Sequence, residues 1–130
     1  MYIYLVVQTC ARIQLLGRTA TTNRGNTMQE FTFYIPVVRD SDKKPHNENR
    51  WSFLEDRMAR AFGGYTRKAN VTGAWLDDSG KLIRDESRVY SIGVSEDKLV
   101  NWQRFSASLA VIFDQQCIYV CESGVASLVG

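Results

Sequence analysis

Histidine is nearly absent from this chain. His46 is the single one in 130 residues. A lone imidazole, set among Asp40, Asp42 and Glu48 in a charged loop, argues against a metal hydrolase, and those acids match no complete calcium loop. The three cysteines, Cys10, Cys117 and Cys121, are odd in number and form no Cys-x-x-Cys pair. Neither a disulfide framework nor a zinc knuckle follows. Cys117 and Cys121 would share a strand face roughly 13 Å apart, too far for a disulfide or a common metal ion. We therefore read them as small buried hydrophobes, and a reducing cytoplasm as the expected location. No apolar run approaches the roughly 20 residues that span a bilayer. The opening MYIYLVVQTC lacks the positive flank of a secretory signal. Glycine-rich phosphate and dinucleotide fingerprints are missing too, and no metal or cofactor is expected.

What is present is an ordinary globular composition, 45% hydrophobic and 23% charged, in a chain long enough for one core. The net charge of +2 is uneven. Residues 1–27 carry Arg12, Arg18 and Arg24 and no acid, while the remaining 103 residues hold 13 basic and 14 acidic side chains. The basic character thus belongs to the N-terminal segment, which argues against a nucleic-acid-binding domain. Residues 1–27 read as an N-terminal extension or an edge strand (Tyr2 to Val7) plus a linker, and 28–130 as a single domain.

Within that domain, Phe31, Phe33, Ile35 and Val37 alternate over Glu30 to Val38, the pattern of a half-buried strand. Trp51, Leu54, Met58, Ala61 and Phe62 then repeat at helical spacing from Asn49 to Phe62. Asn47 is placed to cap that helix, and Gly63-Gly64 to end it. A strand is expected from Val71, and Asp77-Asp78-Ser79-Gly80 reverses it. The returning run, Lys81 to Val94, is long enough to need a bend or bulge, expected near Arg84-Asp85. Ser95 opens a second helix with the stripe Leu99, Trp102, Phe105 or Ser106, Leu109, Ile112 and Phe113. Gln115 to Glu122 is the last long strand, and Val125 to Val129 reads as a short terminal one. Two one-sided amphipathic helices among four strands predict an α+β, ferredoxin-like β-α-β-β-α-β fold. Its four-stranded antiparallel sheet would carry both helices on one face.

The stretches Phe62-Gly63-Gly64-Tyr65-Thr66, Gly73-Ala74-Trp75, Glu86 and Phe113-Asp114-Gln115 together resemble a family of small uncharacterised bacterial proteins. That family has a ferredoxin-like or dimeric α+β barrel domain. The resemblance spans about residues 29–122 and implies the fold and a dimer, but no established activity. It departs after the first strand, where Tyr34-Ile35-Pro36 replaces a phenylalanine-glycine element.

No catalytic signature identifies a reaction, so enzyme and binding module both remain open. The candidate ligand-binding residues are Tyr65, Thr66, Arg67, Trp75, Glu86 and Gln115. Arg67 would attract a polar or anionic small molecule, and Trp75 would stack on it. Against this stands the plainer account in which Thr66 and Glu86 satisfy turns and Trp75 is core. His46 is expected to be an exposed spectator. The helices cover only one sheet face, so the open face is expected to meet a second copy, another protein or residues 1–27. The leading reading is a ferredoxin-like binding or accessory protein, dimeric through that face. The alternative is a small cofactor-independent enzyme or ligand binder with a cleft near Arg67, Trp75 and Glu86.

Overall fold

The computed structural model describes residues 28–122 and 125–129. The expected edge strand and linker of residues 1–27, with Cys10, lie outside these residues. The order of elements is β1 (Met28–Pro36), α1 (Glu48–Phe62), β2 (Thr66–Leu76), β3 (Leu82–Ser95), α2 (Leu99–Ile112), β4 (Ile118–Glu122) and β5 (Val125–Val129). A single 3-10 turn, Glu96–Lys98, leads into α2. The strands form one sheet in the order β2-β3-β1-β4-β5, with every pairing antiparallel. Four strands and two helices thus follow the split β-α-β order, and β5 extends the sheet beyond β4.

Alternation along the strands sends one set of side chains to the helices. Phe31, Phe33 and Ile35 from β1, Tyr90, Ile92 and Val94 from β3, and Ile118 and Val120 from β4 are all buried there. They meet Trp51, Leu54, Met58 and Phe62 of α1 and Trp102, Phe105, Leu109 and Ala110 of α2. Phe31 stacks on Trp102 at a centroid distance of 4.4 Å, and Phe62 meets Phe105 edge-on at 5.5 Å. Full burial of a Leu, Met or Phe side chain contributes about 1.5–3 kcal/mol, so these stripes hold both helices to the sheet.

The helix ends follow local chemistry. The Asn47 side chain accepts the Asn49 backbone N–H at 2.7 Å, satisfying a donor that has no partner within the helix. Gly63 closes α1 at φ 91°, left-handed backbone that a β-carbon disfavours, and its N–H donates to the Ala59 carbonyl. Ser95 differs from the expected cap. Its hydroxyl bonds the Asp97 carboxylate at 2.6 Å, and no side chain caps α2 itself.

The β2–β3 hairpin is the least regular part of the sheet. β2 starts at Thr66, ahead of the expected Val71, and the irregularity lies in β2 between Lys68 and Val71 rather than near Arg84-Asp85. β1 pairs with β3 only over Ser87 to Ser95, so the ribbon from Val71 to Glu86 reaches beyond the sheet. At its tip Asp77 Oδ1 accepts the N–H groups of Ser79 and Lys81 and the Ser79 hydroxyl, and Gly80 takes φ 85°. These hydrogen bonds, led by the Ser79 hydroxyl, hold the Asp77 carboxyl below its usual range.

Candidate functional site

Hairpin register decides what stands together on the open face. Gly73 pairs with Asp85, Val71 with Ser87, and Trp75 with Ile83. Ser87 in turn pairs with Pro36, and Val89 with Tyr34. Directly opposed residues share a face, so Val71, Gly73, Trp75, Asp85, Ser87, Tyr34 and Pro36 lie on the side away from the helices. Tyr119 joins them from β4, opposite Tyr34, their rings 5.1 Å apart.

These residues line a cavity of about 600 Å³. The projecting ribbon forms one wall through Val71, Gly73 and Trp75. Tyr34 and Pro36 form the floor, and the segment entering β4 forms the second wall through Gln115, Cys117 and Tyr119, with Asp40 beside it. Within the ribbon wall a hydrogen bond crosses the hairpin from Trp75 Nε1–H to Asp85 Oδ2 at 2.7 Å. The pair fixes the indole against the ribbon. It also aims the carboxylate's charge into the wall of the cavity. Gly73, between Val71 and Trp75 on the same face, has no heavy atom within 4 Å of where a β-carbon would stand.

The second wall is held by a clasp between the loop after β1 and the turn after α2. Gln115 Nε2 donates to the carbonyls of Val38 at 2.7 Å and Phe113 at 2.9 Å. Asp40 Oδ2 accepts the Gln116 N–H at 3.0 Å, and the Asp40 carboxylate lies 3.6 Å from Lys43. The Ser41 hydroxyl bonds the Asp114 carboxylate. The bidentate contact with Arg39, followed by the Lys44 N–H, lowers the Asp42 carboxyl to about 2.

His46 is not the exposed spectator expected; it is 8% exposed. Its ring stands edge-on to Trp51 and Phe113, and Nε2–H donates to the Pro36 carbonyl at 3.0 Å. Desolvation lowers its pKa, against the opposing pull of that carbonyl. The histidine is a structural pin between the loop and the core. Trp75 likewise departs from the core role considered for it, standing half-buried on the open face. Cys117 and Cys121 are thiols at intermediate burial rather than enclosed, and no disulfide joins them.

The structure divides the sequence candidates. Trp75 and Gln115 line the same cavity. Glu86 belongs to the opposite parity, where it is exposed and accepts Asn70 Nδ2–H at 2.9 Å. Thr66 and Arg67 are exposed at the start of the edge strand β2, paired with Ser91 and Tyr90. Tyr65 donates to Glu55 at 3.2 Å and stands edge-on to Tyr90. Desolvation, followed by the Glu55 carboxylate, raises its phenol pKa. Arg67, Trp75 and Glu86 therefore do not form one cleft.

On the helix side a polar network fills the space near Glu55. Tyr90 is fully buried, and its hydroxyl donates to Glu55 at 2.6 Å. Arg88 lies with its guanidinium 4.1 Å from the Trp51 ring centre and 3.6 Å from Glu55. Desolvation, the largest influence, pushes the Tyr90 phenol far above its ordinary value. The network joins α1 to β3, and none of its members lines the open-face cavity.

Tyr34, Asp85, Tyr119 and Asp40 line the cavity but are not among the ligand-binding candidates that the sequence offers. A signal for Asp85 was present, because a hairpin turning at Asp77 to Lys81 places Asp85 on Trp75's face. Tyr34 and Tyr119 carried no such signal, since they converge only through the non-local β1–β4 pairing.

No protein-family model matches the chain, and no curated protein matches it. Solved structures do resemble it. A phage SAM lyase in complex with S-methyl-5'-thioadenosine aligns at 16% identity and TM-score 0.56, covering 85% of this chain and 91% of that one. The phage SAM lyase in its apo state gives 14% identity and TM-score 0.53, covering 84% and 91%. The divalent cation tolerance protein Cut A1 from Thermus thermophilus gives 6% identity and TM-score 0.52, covering 74% and 82%. Likenesses at such identities carry the architecture and nothing finer: this chain has a ferredoxin-like α+β fold.

Proposed function

We propose that this protein is a small-ligand-binding protein whose site is the cavity on the open sheet face. The observation that carries the reading is the hydrogen-bonded Trp75–Asp85 pair in the wall of a space of about 600 Å³. Small-molecule pockets are concave, mostly apolar spaces of roughly 300–1,000 Å³ with a few fixed polar groups. Here Trp75, Tyr34 and Tyr119 supply flat apolar surface, and Asp85 supplies an oriented acceptor. A nucleoside-sized planar molecule suits these walls. Support of a coarser kind comes from the phage SAM lyase of similar fold, which was solved with S-methyl-5'-thioadenosine. The thiols of Cys117 and Cys121, outside any disulfide, fit a reducing cytoplasm as its location.

Isothermal titration with S-methyl-5'-thioadenosine, alongside native mass spectrometry of protein isolated from its natural host, tests the reading. Saturable binding or a retained small molecule is expected, and Gly73→Leu should abolish it by filling the cavity without a backbone clash. Binding that survives Gly73→Leu unchanged would place the ligand elsewhere. Absence of both binding and any retained molecule would reject the proposal.

A second reading has its own observation. Tyr119 is 47% exposed and Val71 41% exposed on the open face, and the ribbon beyond the sheet adds exposed Leu76 and Leu82. Leu76 and Leu82 pair on the ribbon's opposite face, so it is the Tyr119 and Val71 surface that suits a homodimer or another protein partner. Sedimentation of the full chain over a wide concentration range tests self-association, and a monomer at every concentration rejects it.

A further inference from the structure

We propose that the open-face cavity selects a planar organic cation, in place of the anionic ligand that Arg67 suggested from sequence. The inference rests on the binding reading above and adds the sign of the ligand's charge. Among the described residues, those lining the cavity include two carboxylates, Asp40 and Asp85, and no lysine, arginine or histidine. Their charges are not equally available. Asp40 is shared with Lys43 and with the Gln116 N–H. Asp85 has Trp75 as its hydrogen-bonded partner across the hairpin, and an indole N–H orients a carboxylate without neutralising it.

Among the described residues, that leaves the Asp85 charge beside an aromatic face with no basic side chain in the lining. Trp75 offers the best ring for a cation, and Tyr34 and Tyr119 stand as a second aromatic pair across the cavity. An anion entering here would lose water, approach the Asp85 carboxylate and meet the negative faces of three rings. A cation meets the reverse at each contact. Arg67 cannot invert this balance, since it is exposed on β2 outside the lining. The cavity's size and aromatic walls favour an organic ion over a bare metal. Among the described residues, moreover, no group of three His, Cys, Asp or Glu side chains is placed to hold a metal ion.

The test uses two isomeric nucleosides that differ in charge. 1-Methyladenosine is cationic at pH 7, and N6-methyladenosine is neutral. Each is titrated by calorimetry into the full-length protein at low salt. The cation should bind about tenfold more tightly, and added salt should narrow the gap. Asp85→Asn keeps an oxygen to accept the Trp75 N–H while removing the charge, so in that variant the two isomers should bind about equally. Circular dichroism of Asp85→Asn checks that the fold is intact. Equal binding of the isomers to the unaltered protein, or tighter binding of the neutral one, overturns the charge assignment and leaves the binding reading standing. A preference that persists in Asp85→Asn overturns the role of Asp85. Failure of both isomers to bind overturns this inference; the binding reading falls with it only if S-methyl-5'-thioadenosine also fails to bind and the natural protein retains no small molecule.

Discussion

Acidification should weaken this protein through one imidazole before it does so through any carboxylate. His46 is buried between Trp51 and Phe113, and its Nε2–H is committed to the Pro36 carbonyl. Burial is the main reason its pKa lies below the ordinary value, and the charges of Arg50 and Arg39 add to the effect against that of Asp114. A group whose folded pKa is depressed binds its proton first in the unfolded chain. The stability it confers is therefore complete above the unfolded pKa of about 6.5 and falls as pH drops toward the folded value. Within that window the slope has a ceiling of about 1.4 kcal/mol per pH unit for one proton. Asp42, Asp77 and Asp97 also have lowered pKa values and lose their contributions at lower pH, below the usual range of about 4 for aspartate. The two regimes are therefore separable. Urea unfolding between pH 7.5 and 5.0 should show a decline that His46→Phe, which keeps a ring in the slot, does not. As this is the sole histidine, its ring protons give one unambiguous NMR titration curve. A midpoint at or above 6.5, or identical pH profiles for both proteins, would refute the reasoning.

Two further perturbations probe the supports of the fold. Tyr90→Phe deletes a buried hydroxyl that donates to Glu55 at 2.6 Å. A hydrogen bond to a charged group contributes about 1.5–3 kcal/mol, so urea denaturation should show a loss near 2 kcal/mol. A change below roughly 0.5 kcal/mol would mean that water replaces the contact. Gln115→Ala removes both donations from Nε2 to the carbonyls of Val38 and Phe113. It should destabilise by about 1–2 kcal/mol and speed hydrogen exchange in the loop between β1 and α1; unchanged exchange there would show that Gln115 does not hold the clasp.

Local patterns carried much of the architecture. The stripes of α1 and α2, the Asn47 cap, the Gly63 stop and the turn at Asp77 to Gly80 all rest on interactions within a few residues. Such interactions leave a mark in the order of side chains. The bulge was located on the wrong strand for an equally physical reason. A long strand advertises that it must bend, but the extra residue can sit in either partner, and only the pairing of Lys68 with Val89 and Val71 with Ser87 decides which.

The candidate site was legible only in fragments. Trp75 stood out by its own chemistry, and Gln115 by its place before β4. Arg67 and Glu86 stood out for charge, yet strand parity carried Glu86 to the other side of the sheet. His46 looked exposed because its sequence neighbours are charged, whereas burial is decided by Trp51, on α1, and Phe113, at the end of α2.

By itself, then, the sequence determined the elements, the two ends of α1 and the faces the helices bury, because those depend on periodicity and backbone preference over short spans. Tertiary structure alone decided that Tyr34, Trp75, Asp85 and Tyr119 surround one cavity. These four come from four different strands. Trp75 and Asp85 face each other across one hairpin, but their meeting with Tyr34 and Tyr119 depends on register between segments far apart in the chain, which no local pattern encodes.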